Sequence, residues 1–363
     1  MRPMQVRLAM TPNRPSPRNA PPVLRRPVVP MLAAPVDAVP EGPGLVHEPK
    51  WDGWRCIAFR DTDGVYLQSR AGRNLTGYFP DITRAIGAGI PPGAVLDGEL
   101  IVWDRGRTNF AQLQRRVTAG RELPQLVREC PAHYVVFDLL ADAGGRVILD
   151  RPLSQRRACL VRMLAEAPAA LTATPQTVDI REVSDWLLYW TVAAGIEGVV
   201  SKRQGGRYQP GRRGWAKFRT RMVTEAIVGG VTGSVSDPET VLLGRIDRRG
   251  RLRYTGRSHP LARDQRVALA ELLSPPPMSG RGAVAHPWPQ PLPASWSGQL
   301  DRPEPTRYEQ VDPAVVVEIA ADTAFEHSRW RYRVRYTRIR PDLSPSDVPF
   351  LLGEEEGYFG DRS

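Results

Sequence analysis

Short apolar runs separated by turn-forming residues dominate positions 28 to 222 and predict a mixture of strands and helices. The runs typical of strands lie at 56–59, 65–68, 94–96, 100–103 and 133–137. Stretches with helical periodicity lie near 108–117, 153–166 and 182–194. Many strands joined by turns favour largely antiparallel sheets with helices packed on them. This part of the chain is therefore predicted to belong to the α+β class.

The pattern becomes predominantly β from about residue 223. Strands are predicted at 226–231, 240–244, 252–254 and 315–319, a helix near 260–273, and a proline-rich interruption at about 275–313. This spacing favours a five-stranded β-barrel with one helix, the OB type, although a β-sandwich has similar spacing. We therefore expect two domains, 28–222 and 223–345, followed by a C-terminal tail over 346–363. Residues 1–27 carry six arginines and no acidic residue, so we expect a disordered basic tail there.

Residues 329–336 alternate strictly between arginine and an apolar or aromatic residue. In a single strand, the four arginines would line one side, and Trp330, Tyr332, Val334 and Tyr336 would line the other. The apolar side could then pack on a core while the arginines contact phosphates, which is the interpretation we favour. An edge strand protected by charge is the alternative.

Composition narrows the class of protein only slightly. The formal net charge of +11 favours a polyanionic partner such as nucleic acid, although a basic surface alone would give the same charge. The three cysteines have no metal-ligand spacing and are expected to be reduced thiols in a cytoplasmic protein. No apolar run is long enough to span a membrane.

Lysine is rare in this arginine-rich chain. Only Lys50, Lys202 and Lys217 occur among the 50 basic residues, and each lies in a distinctive context. Unlike a guanidinium, an ammonium group can lose its proton and become an amine nucleophile. Because nearby cations lower the pKa of a lysine, we expect Arg55, Lys202 and Lys217 to do so for Lys50 if they converge on it. Chance survival of three lysines is the alternative.

Two carboxylates and one ring complete the candidate chemistry. Glu99 and Glu197 stand at the edges of apolar strands, where a carboxylate could bind Mg²⁺ or a ribose hydroxyl, or could simply cap a turn. Phe137 ends another apolar strand, where its ring could stack on a base or belong to the core. The order of these elements along the chain makes the chemical interpretation stronger than any single residue does.

The sequence Glu-Pro-Lys-Trp-Asp-Gly-Trp-Arg at 48–55, with five further motifs in order, resembles the covalent nucleotidyltransferase superfamily. This superfamily comprises ATP-dependent DNA ligases, RNA ligases and mRNA capping enzymes. Within it, residues 28 to 345 most resemble bacterial ATP-dependent DNA ligases related to the ligase module of end-joining repair enzymes. The resemblance implies a nucleotidyltransferase (adenylation) domain followed by an OB-fold domain.

The resemblance also implies roles for individual residues. Lys50 would attack the α-phosphate of ATP and become adenylylated, Glu48 would help to read adenine, and Phe137 would stack on it. Glu99 would bind the ribose or a metal, and Glu197 would help to hold the metal. The residues implied to contact nucleotide or substrate phosphates are Arg55, Arg70, Lys202, Lys217 and Arg219.

The last motif of the family corresponds to Arg338, Arg340 and Asp342, which would orient the pyrophosphate leaving group and later contact DNA. The sequence departs from many relatives here, with Leu343 in place of a lysine and Val334 in place of a proline. Arg219 also replaces a lysine, but an arginine can still hold phosphate. The departures at Leu343 and Val334 concern the detailed contacts of the last motif.

The resemblance implies ATP as co-substrate, Mg²⁺ or Mn²⁺ as cofactor, and nicked or broken duplex DNA as partner. It further suggests a monomer associated with the nucleoid in the cytoplasm, acting with end-joining repair proteins. An RNA ligase or RNA guanylyltransferase is the nearest enzymatic alternative. A non-catalytic nucleic-acid-binding relative is a third, which the retained Lys50, Lys202 and Lys217 disfavour.

Overall fold

The computed structural model describes residues 24–276, 286–296, 304–322, 325–326 and 328–351. Of the predicted tails over 1–27 and 346–363, residues 1–23 and 352–363 lie outside the described residues. In chain order the strands are β1 (Leu32–Pro35), β2 (Leu45–Lys50), β3 (Trp54–Arg60), β4 (Val65–Ser69), β5 (Val95–Asp104), β6 (Arg107–Thr108), β7 (Ala132–Ala141), β8 (Leu171–Ala173), β9 (Gly198–Arg203), β10 (Arg213–Arg219), β11 (Arg221–Ser234), β12 (Asp237–Ile246), β13 (Leu252–Arg257), β14 (Glu309–Gln310), β15 (Val316–Asp322), β16 (Phe325–Glu326), β17 (Arg329–Trp330) and β18 (Arg335–Ile339).

The helices are α1 (Pro80–Gly89), α2 (Phe110–Thr118), α3 (Leu123–Glu129), α4 (Leu153–Leu164), α5 (Ile180–Asp185), α6 (Thr191–Ala193) and α7 (Arg263–Ala270). A π-helical turn, Trp186–Trp190, joins α5 to α6. The helices predicted near 108–117, 153–166, 182–194 and 260–273 are thus present, whereas α1 and α3 were not predicted. The strands predicted at 94–96 and 100–103 are parts of one continuous strand, β5.

Two sheets lie before β11. A four-stranded sheet has the order β1–β10–β9–β2, and a central sheet has the order β4–β3–β5–β7–β8 with β6 attached to β5. Only the pairs β1–β10 and β7–β8 are parallel in these two sheets. The prediction of largely antiparallel sheets with helices is therefore confirmed.

Side-chain alternation along the central sheet separates two apolar layers. On β3, Cys56 and Ala58 belong to the core that includes residues of α1, α2 and α4. The intervening Ile57 and Phe59 face the other way, into a cluster that includes Trp215 of the four-stranded sheet. The space between the two sheets, called the cleft below, is thus lined by alternate residues of both.

Among the described strands, β16 and β17 pair with each other, and five of the others from β11 onward form a closed barrel. Their order is β13–β12–β11–β15–β18, with β14 paired to β11. A parallel bridge between Ser258 and Val334 closes the ring, and the amide of His259 donates to the carbonyl of Val334 at 2.8 Å. Helix α7 lies between β13 and β15 in the chain. A closed five-stranded barrel with one helix is the arrangement expected of the OB type; the OB assignment and the predicted domain limits stay predictions.

The described parts of the proline-rich stretch pack on the outside of the barrel. Trp288 is buried, and its indole N–H donates to the carbonyl of Leu252 at 3.0 Å. A Cβ atom on Gly229 or Gly244 would come within 2.4 and 2.7 Å of the Trp288 ring. Glycine at these strand positions therefore leaves the space that this tryptophan fills.

The prediction of one alternating strand over 329–336 is wrong. Strand β17 ends at Trp330, the chain bends over residues 331–333, and β18 begins at Arg335. Trp330, Val334 and Tyr336 are buried as predicted, but Tyr332 is 37% exposed. Trp330 and Val334 both lie in the barrel core, as they would in a regular strand. The bend turns Arg331 towards the cleft.

Candidate active site

The residues predicted to carry chemistry meet in the cleft because of strand alternation. On the four-stranded sheet, Glu48 and Lys50 are two apart on β2, and Lys217 and Arg219 are two apart on β10. Residues two apart in a strand point to the same face. The central sheet contributes Arg55, Glu99 and Phe137 from β3, β5 and β7.

Lys50 lies at the end of β2 and is bound to Glu197 through both its backbone and its side chain. Its carbonyl accepts from the Glu197 amide at 2.7 Å, and its Nζ donates to the Glu197 carboxylate. Burial is the largest single influence and would lower the pKa of Lys50, as does the charge of Arg219. The charge and hydrogen bond of Glu197, together with Tyr332, outweigh them, so this pKa is raised. The expectation that nearby cations lower this pKa is therefore wrong for the arrangement described.

The cations expected to act on Lys50 are engaged elsewhere. Arg55 Nε and Nη2 each donate to the buried carboxylate of Asp97 at 2.6 Å. Lys202 Nζ lies 2.6 Å from the Glu48 carboxylate. Because paired cations exert a weaker field than free ones, neither offsets the effect of Glu197.

Glu197 gathers charges from both parts of the molecule. Its side chain is 3% exposed, accepts a hydrogen bond from Arg331 Nη2 at 2.5 Å and lies 3.7 Å from Arg219. Burial alone would raise the pKa of Glu197, but the charges of Lys50, Arg219 and Arg331 lower it to about 2. Glu197 is therefore ionised over the whole physiological range of pH.

Sequence reasoning did not single out Arg331 and Asp52 as site residues. Arg331 also donates to the Asp52 carboxylate, and its guanidinium lies 4.1 Å from the centre of the Phe110 ring. The two residues are 279 positions apart, so no local pattern could have paired them. The Asp-Gly turn after Lys50 was the only available signal for Asp52.

Two carboxyl groups near Lys50, those of Asp52 and Glu99, are poorly stabilised in their ionised forms. Burial and the neighbouring Glu197 raise the pKa of Asp52 to about 7, although Arg331 opposes this. Burial also raises the pKa of Glu99 to about 8, despite the charge of Lys50. Within the described residues, no hydrogen bond to the Glu99 side chain is formed. A cation in the cleft would stabilise both carboxylates in their ionised forms.

These oxygens fit a divalent metal held partly by substrate. Among the described residues, no three His, Cys, Asp or Glu side chains form a complete metal site. Mg²⁺ is usually bound through one or two carboxylates together with substrate phosphates and water. Glu99 and Glu197 could supply that number of protein ligands.

Glu48 lies on β2 with both carboxylate oxygens occupied. Oε2 lies 2.6 Å from Lys202 Nζ, and Oε1 accepts from Gln176 Nε2 at 2.8 Å. The side chains of Glu48 and Lys202 are only 3% and 1% exposed. Gln176 was not predicted to belong to the site.

Two rings and two cations form the wall beside Glu48. Phe137 and Trp215 meet edge to face, with their centroids 6.0 Å apart. The Lys202 ammonium lies 4.6 and 4.3 Å from the two ring centroids, and the Arg55 guanidinium lies 4.5 and 5.3 Å from them. Such placement is typical of cation–π contacts. Phe137 thus lies at the wall of the cleft, and its stacking on a base stays a prediction.

The other predicted phosphate ligands lie at the mouth of the cleft. Burial and the charges of Arg219 and Lys50 lower the pKa of Lys217, and Arg70 adds to this shift. Arg219 donates to Asp322 of β15 at 2.6 Å, which links the cleft to the barrel. Mutual repulsion of cations in this way indicates a place suited to an anion.

The residues of the last motif are not brought to the cleft. Arg338 pairs with Glu318 at 2.7 Å, and Arg340 pairs with Asp342 at 2.7 Å and with Glu225 at 2.9 Å. All of these partners are on the barrel or immediately after it. In the arrangement described, the barrel reaches Glu197 with Arg331 instead.

The cleft between the two largely antiparallel sheets holds a lysine, carboxylates suited to a metal, an aromatic wall and a cation cluster. This combination is the one expected of a nucleotidyltransferase site. Residues 30–219 match the family model described as "ATP dependent DNA ligase domain". The chain therefore belongs to the ATP-dependent DNA ligase family, whose members use ATP and a divalent metal ion.

Curated relatives agree with this assignment. DNA ligase C of Mycobacterium tuberculosis is 33% identical over 89% of this chain and 93% of its own length. The multifunctional non-homologous end joining protein LigD of Mycobacterium bovis is 31% identical over 83% of this chain and 37% of its own length. The expected likeness to bacterial ligases related to end-joining enzymes is confirmed.

A solved structure supports the fold. A chain described under "DNA binding with a minimal scaffold: Structure-function analysis of Lig E DNA ligases" is 16% identical, with a TM-score of 0.50. The match covers 86% of this chain and 100% of that one.

Within the described residues, no helix is both long and apolar enough to cross a bilayer.

Proposed function

We propose that this ligase seals breaks between a 5′-phosphate and a 3′-hydroxyl in duplex DNA, with Lys50 as the nucleophile. The Lys50 amine attacks the α-phosphate of ATP, a P–N bond forms, and pyrophosphate leaves. AMP then passes to the 5′-phosphate at the break. Attack by the 3′-hydroxyl on that phosphate joins the strands and releases AMP. Each step is a displacement at phosphorus, so positioning and charge neutralisation supply most of the catalysis.

The first step requires that Lys50 lose both a proton and a partner. As described, its Nζ is bound to the Glu197 carboxylate, and its pKa is raised. A divalent ion held by Glu197 and Glu99 would neutralise charge on the transferring phosphates. Glu197 cannot serve as an effective base, because its pKa is lowered to about 2. Release of Lys50 from Glu197 therefore precedes attack.

The remaining residues of the cleft bind and orient the substrates. Phe137 and Glu48 are proposed to hold adenine, and Lys217, Arg219 and Arg70 the phosphates. Lys202 and Arg55, now paired with carboxylates, are proposed to join this phosphate set when nucleotide is bound. Arg338, Arg340 and Asp342 can join it only if the barrel moves from the position described.

The barrel carries a second cation cluster suited to a nucleic-acid backbone. Burial and the charge of Arg333 lower the pKa of Arg257, and burial and Arg253 do the same to Arg329. Arginines set this close together attract phosphates, and counterions are released on binding. This cluster replaces the arginine-lined strand that the sequence predicted.

The observation that carries the proposal is the position of Lys50 between the Glu197 carboxylate and the cations at the mouth of the cleft. Intact mass after incubation with ATP and Mg²⁺ tests it, with attached AMP first removed by pyrophosphate. We expect a gain of one AMP that is absent in Lys50→Arg, since arginine keeps the charge but cannot act as the amine. Adenylylation of Lys50→Arg would show that another residue is the nucleophile.

The same preparation separates the rival functions. Sealing of nicked DNA but not of nicked RNA favours the DNA ligase, and the reverse result favours an RNA ligase. Absence of any adenylylation in folded protein would favour a non-catalytic binding role. We further propose that the enzyme acts as a monomer in repair by end joining, near the nucleoid. The relative described as an end-joining protein supports the role in end joining.

A further inference from the structure

We propose that Gln176 is a positioning residue that fixes the Glu48 carboxylate for recognition of a 6-aminopurine nucleotide. The inference rests on the proposed function, in which Glu48 faces the base of the bound nucleotide. It goes beyond that function by naming what orients Glu48 and which part of the base is read.

Backbone pairing places Gln176 directly opposite Glu48. The amide of His47 donates to the carbonyl of Thr177 at 2.8 Å, and the amide of Thr177 donates back to His47 at 3.0 Å. This antiparallel bridge sets residue 47 against residue 177, and hence residue 48 against residue 176. The chain around Thr177 thus acts as a short extra strand on the outer edge of β2.

The opposite neighbour of β2 supplies the second partner of Glu48. On β9, Lys202 is paired in register with Val46, so it lies diagonally across from Glu48 on the same face. Gln176 and Lys202 therefore hold one carboxylate oxygen each, at 2.8 and 2.6 Å. When Lys202 turns to the phosphates of a bound nucleotide, the bond from Gln176 remains and keeps the orientation of the carboxylate.

The amide group of Gln176 gives this arrangement a preference for one purine base over another. A carboxylate only accepts hydrogen bonds, so the NH₂ group of Gln176 faces Glu48 and its carbonyl oxygen stays available as an acceptor. Adenine presents an amino group at position 6, whereas guanine presents a carbonyl oxygen there. Acceptors from Glu48 and Gln176 would bind the former and repel the latter.

A purely structural role for the Gln176 side chain explains less. The segment is already tied to β2 by the two His47–Thr177 backbone bonds. It is also tied by the indole N–H of Trp51, which donates to Thr174 Oγ1 at 2.9 Å. The bond from Gln176 to Glu48 is not required to hold the chain there.

The test compares two nucleotides in Gln176→Leu and the parent, with adenylylation of Lys50 read by intact mass. ATP carries the 6-amino group, and purine riboside triphosphate lacks it. We expect the KM for ATP to rise about tenfold in Gln176→Leu, as for loss of one buried hydrogen bond, with little change in the maximal rate. The KM for purine riboside triphosphate should stay at the parent value.

Two further variants keep the outcome interpretable. Gln125→Leu removes a similar bond to Glu129 on the exposed helix α3, 2.8 Å in length, and should leave both nucleotides unaffected. Gln176→Glu keeps the size of the side chain but places a carboxylate beside Glu48, so its KM for ATP should rise further. It serves in place of Gln176→Leu if that variant does not fold.

An equal rise in KM for both nucleotides, or a fall confined to the maximal rate, would overturn the inference and assign Gln176 a structural role. Failure of the parent protein itself to become adenylylated by ATP would instead overturn the proposed function. The two failures are therefore distinguishable in one set of reactions.

Discussion

Two ion pairs, one behind the cleft and one at the end of the barrel, differ in how far solvent reaches them. In the Arg156–Asp138 pair behind the cleft, the side chains are 1% and 0% exposed, and the guanidinium also donates to the carbonyl of Gly206 at 3.0 Å. In the Arg338–Glu318 pair on the barrel, the arginine is 59% exposed. Both pairs have good geometry, so the difference lies in solvent.

The difference separates residues that maintain the fold from residues that remain available to substrate. A buried pair is fixed, because loss of either partner leaves an uncompensated charge. An exposed arginine exchanges readily between its partner, water and other ions. The cleft is therefore built on a rigid polar frame, while the predicted leaving-group residue Arg338 on the barrel is free to change partners.

Loss of the buried pair should produce the largest effect. In Asp138→Ala, Arg156 remains buried without its counterion, and we expect the free energy of unfolding to fall by about 3–5 kcal/mol. Urea unfolding followed by circular dichroism measures this. Asp150→Ala is the matched control, because the Asp150–Arg207 pair is 3.8 Å long and its side chains are 94% and 69% exposed. Equal losses in the two variants would mean that burial does not distinguish these pairs.

The buried ion pair behind the cleft and the residues of the cleft differ in how far sequence alone could predict them. The contexts of Lys50, Lys202 and Lys217 are local, so motif spacing was enough to identify these residues. The Asp138–Arg156 pair and the contact of Arg331 with Glu197 depend on strand packing and on how the barrel docks, which spacing does not encode. Gln176 was missed for the same reason, because its only signal is register with β2.

The fold shows the same division. Helix α1 was missed because two of its ten residues are glycine, which weakens helical propensity. Its buried residues Ile82, Ala85 and Ile86 nevertheless follow the helical spacing of three and four. The single strand predicted at 329–336 failed because alternation was satisfied equally well by a bend that keeps Trp330 and Val334 buried.

Substitution of Glu99 should change stability by an intermediate amount and in the opposite direction, because the variant is expected to be more stable than the parent. Its pKa is raised to about 8, so the folded protein holds a proton there that the unfolded chain loses from about pH 4.5 upwards. Stability is therefore lost as the pH rises towards 8. We expect metal-free Glu99→Gln to be more stable than the parent by about 1–3 kcal/mol above pH 8 and similar to it near pH 4.5.

Thermal unfolding in EDTA at several values of pH measures this gap. Mg²⁺ should narrow it, because the ionised carboxylate of the parent then gains a partner. Glu122→Gln, on an exposed turn, is the control and should show no gap. A gap that does not change between pH 5 and pH 9 would contradict the account of Glu99 as a partly buried carboxyl without a hydrogen bond from the described residues.

Arg338 should have the smallest effect on stability. Because its guanidinium is open to solvent, we expect Arg338→Ala to unfold at nearly the same urea concentration as the parent. The family role of this motif nevertheless predicts slower adenylylation of Lys50, by about tenfold, as for loss of one charge-assisted contact to the leaving pyrophosphate. Such a result would require the barrel to move from the position described. An unchanged adenylylation rate would instead leave Arg331 as the residue by which the barrel acts on the cleft in this step.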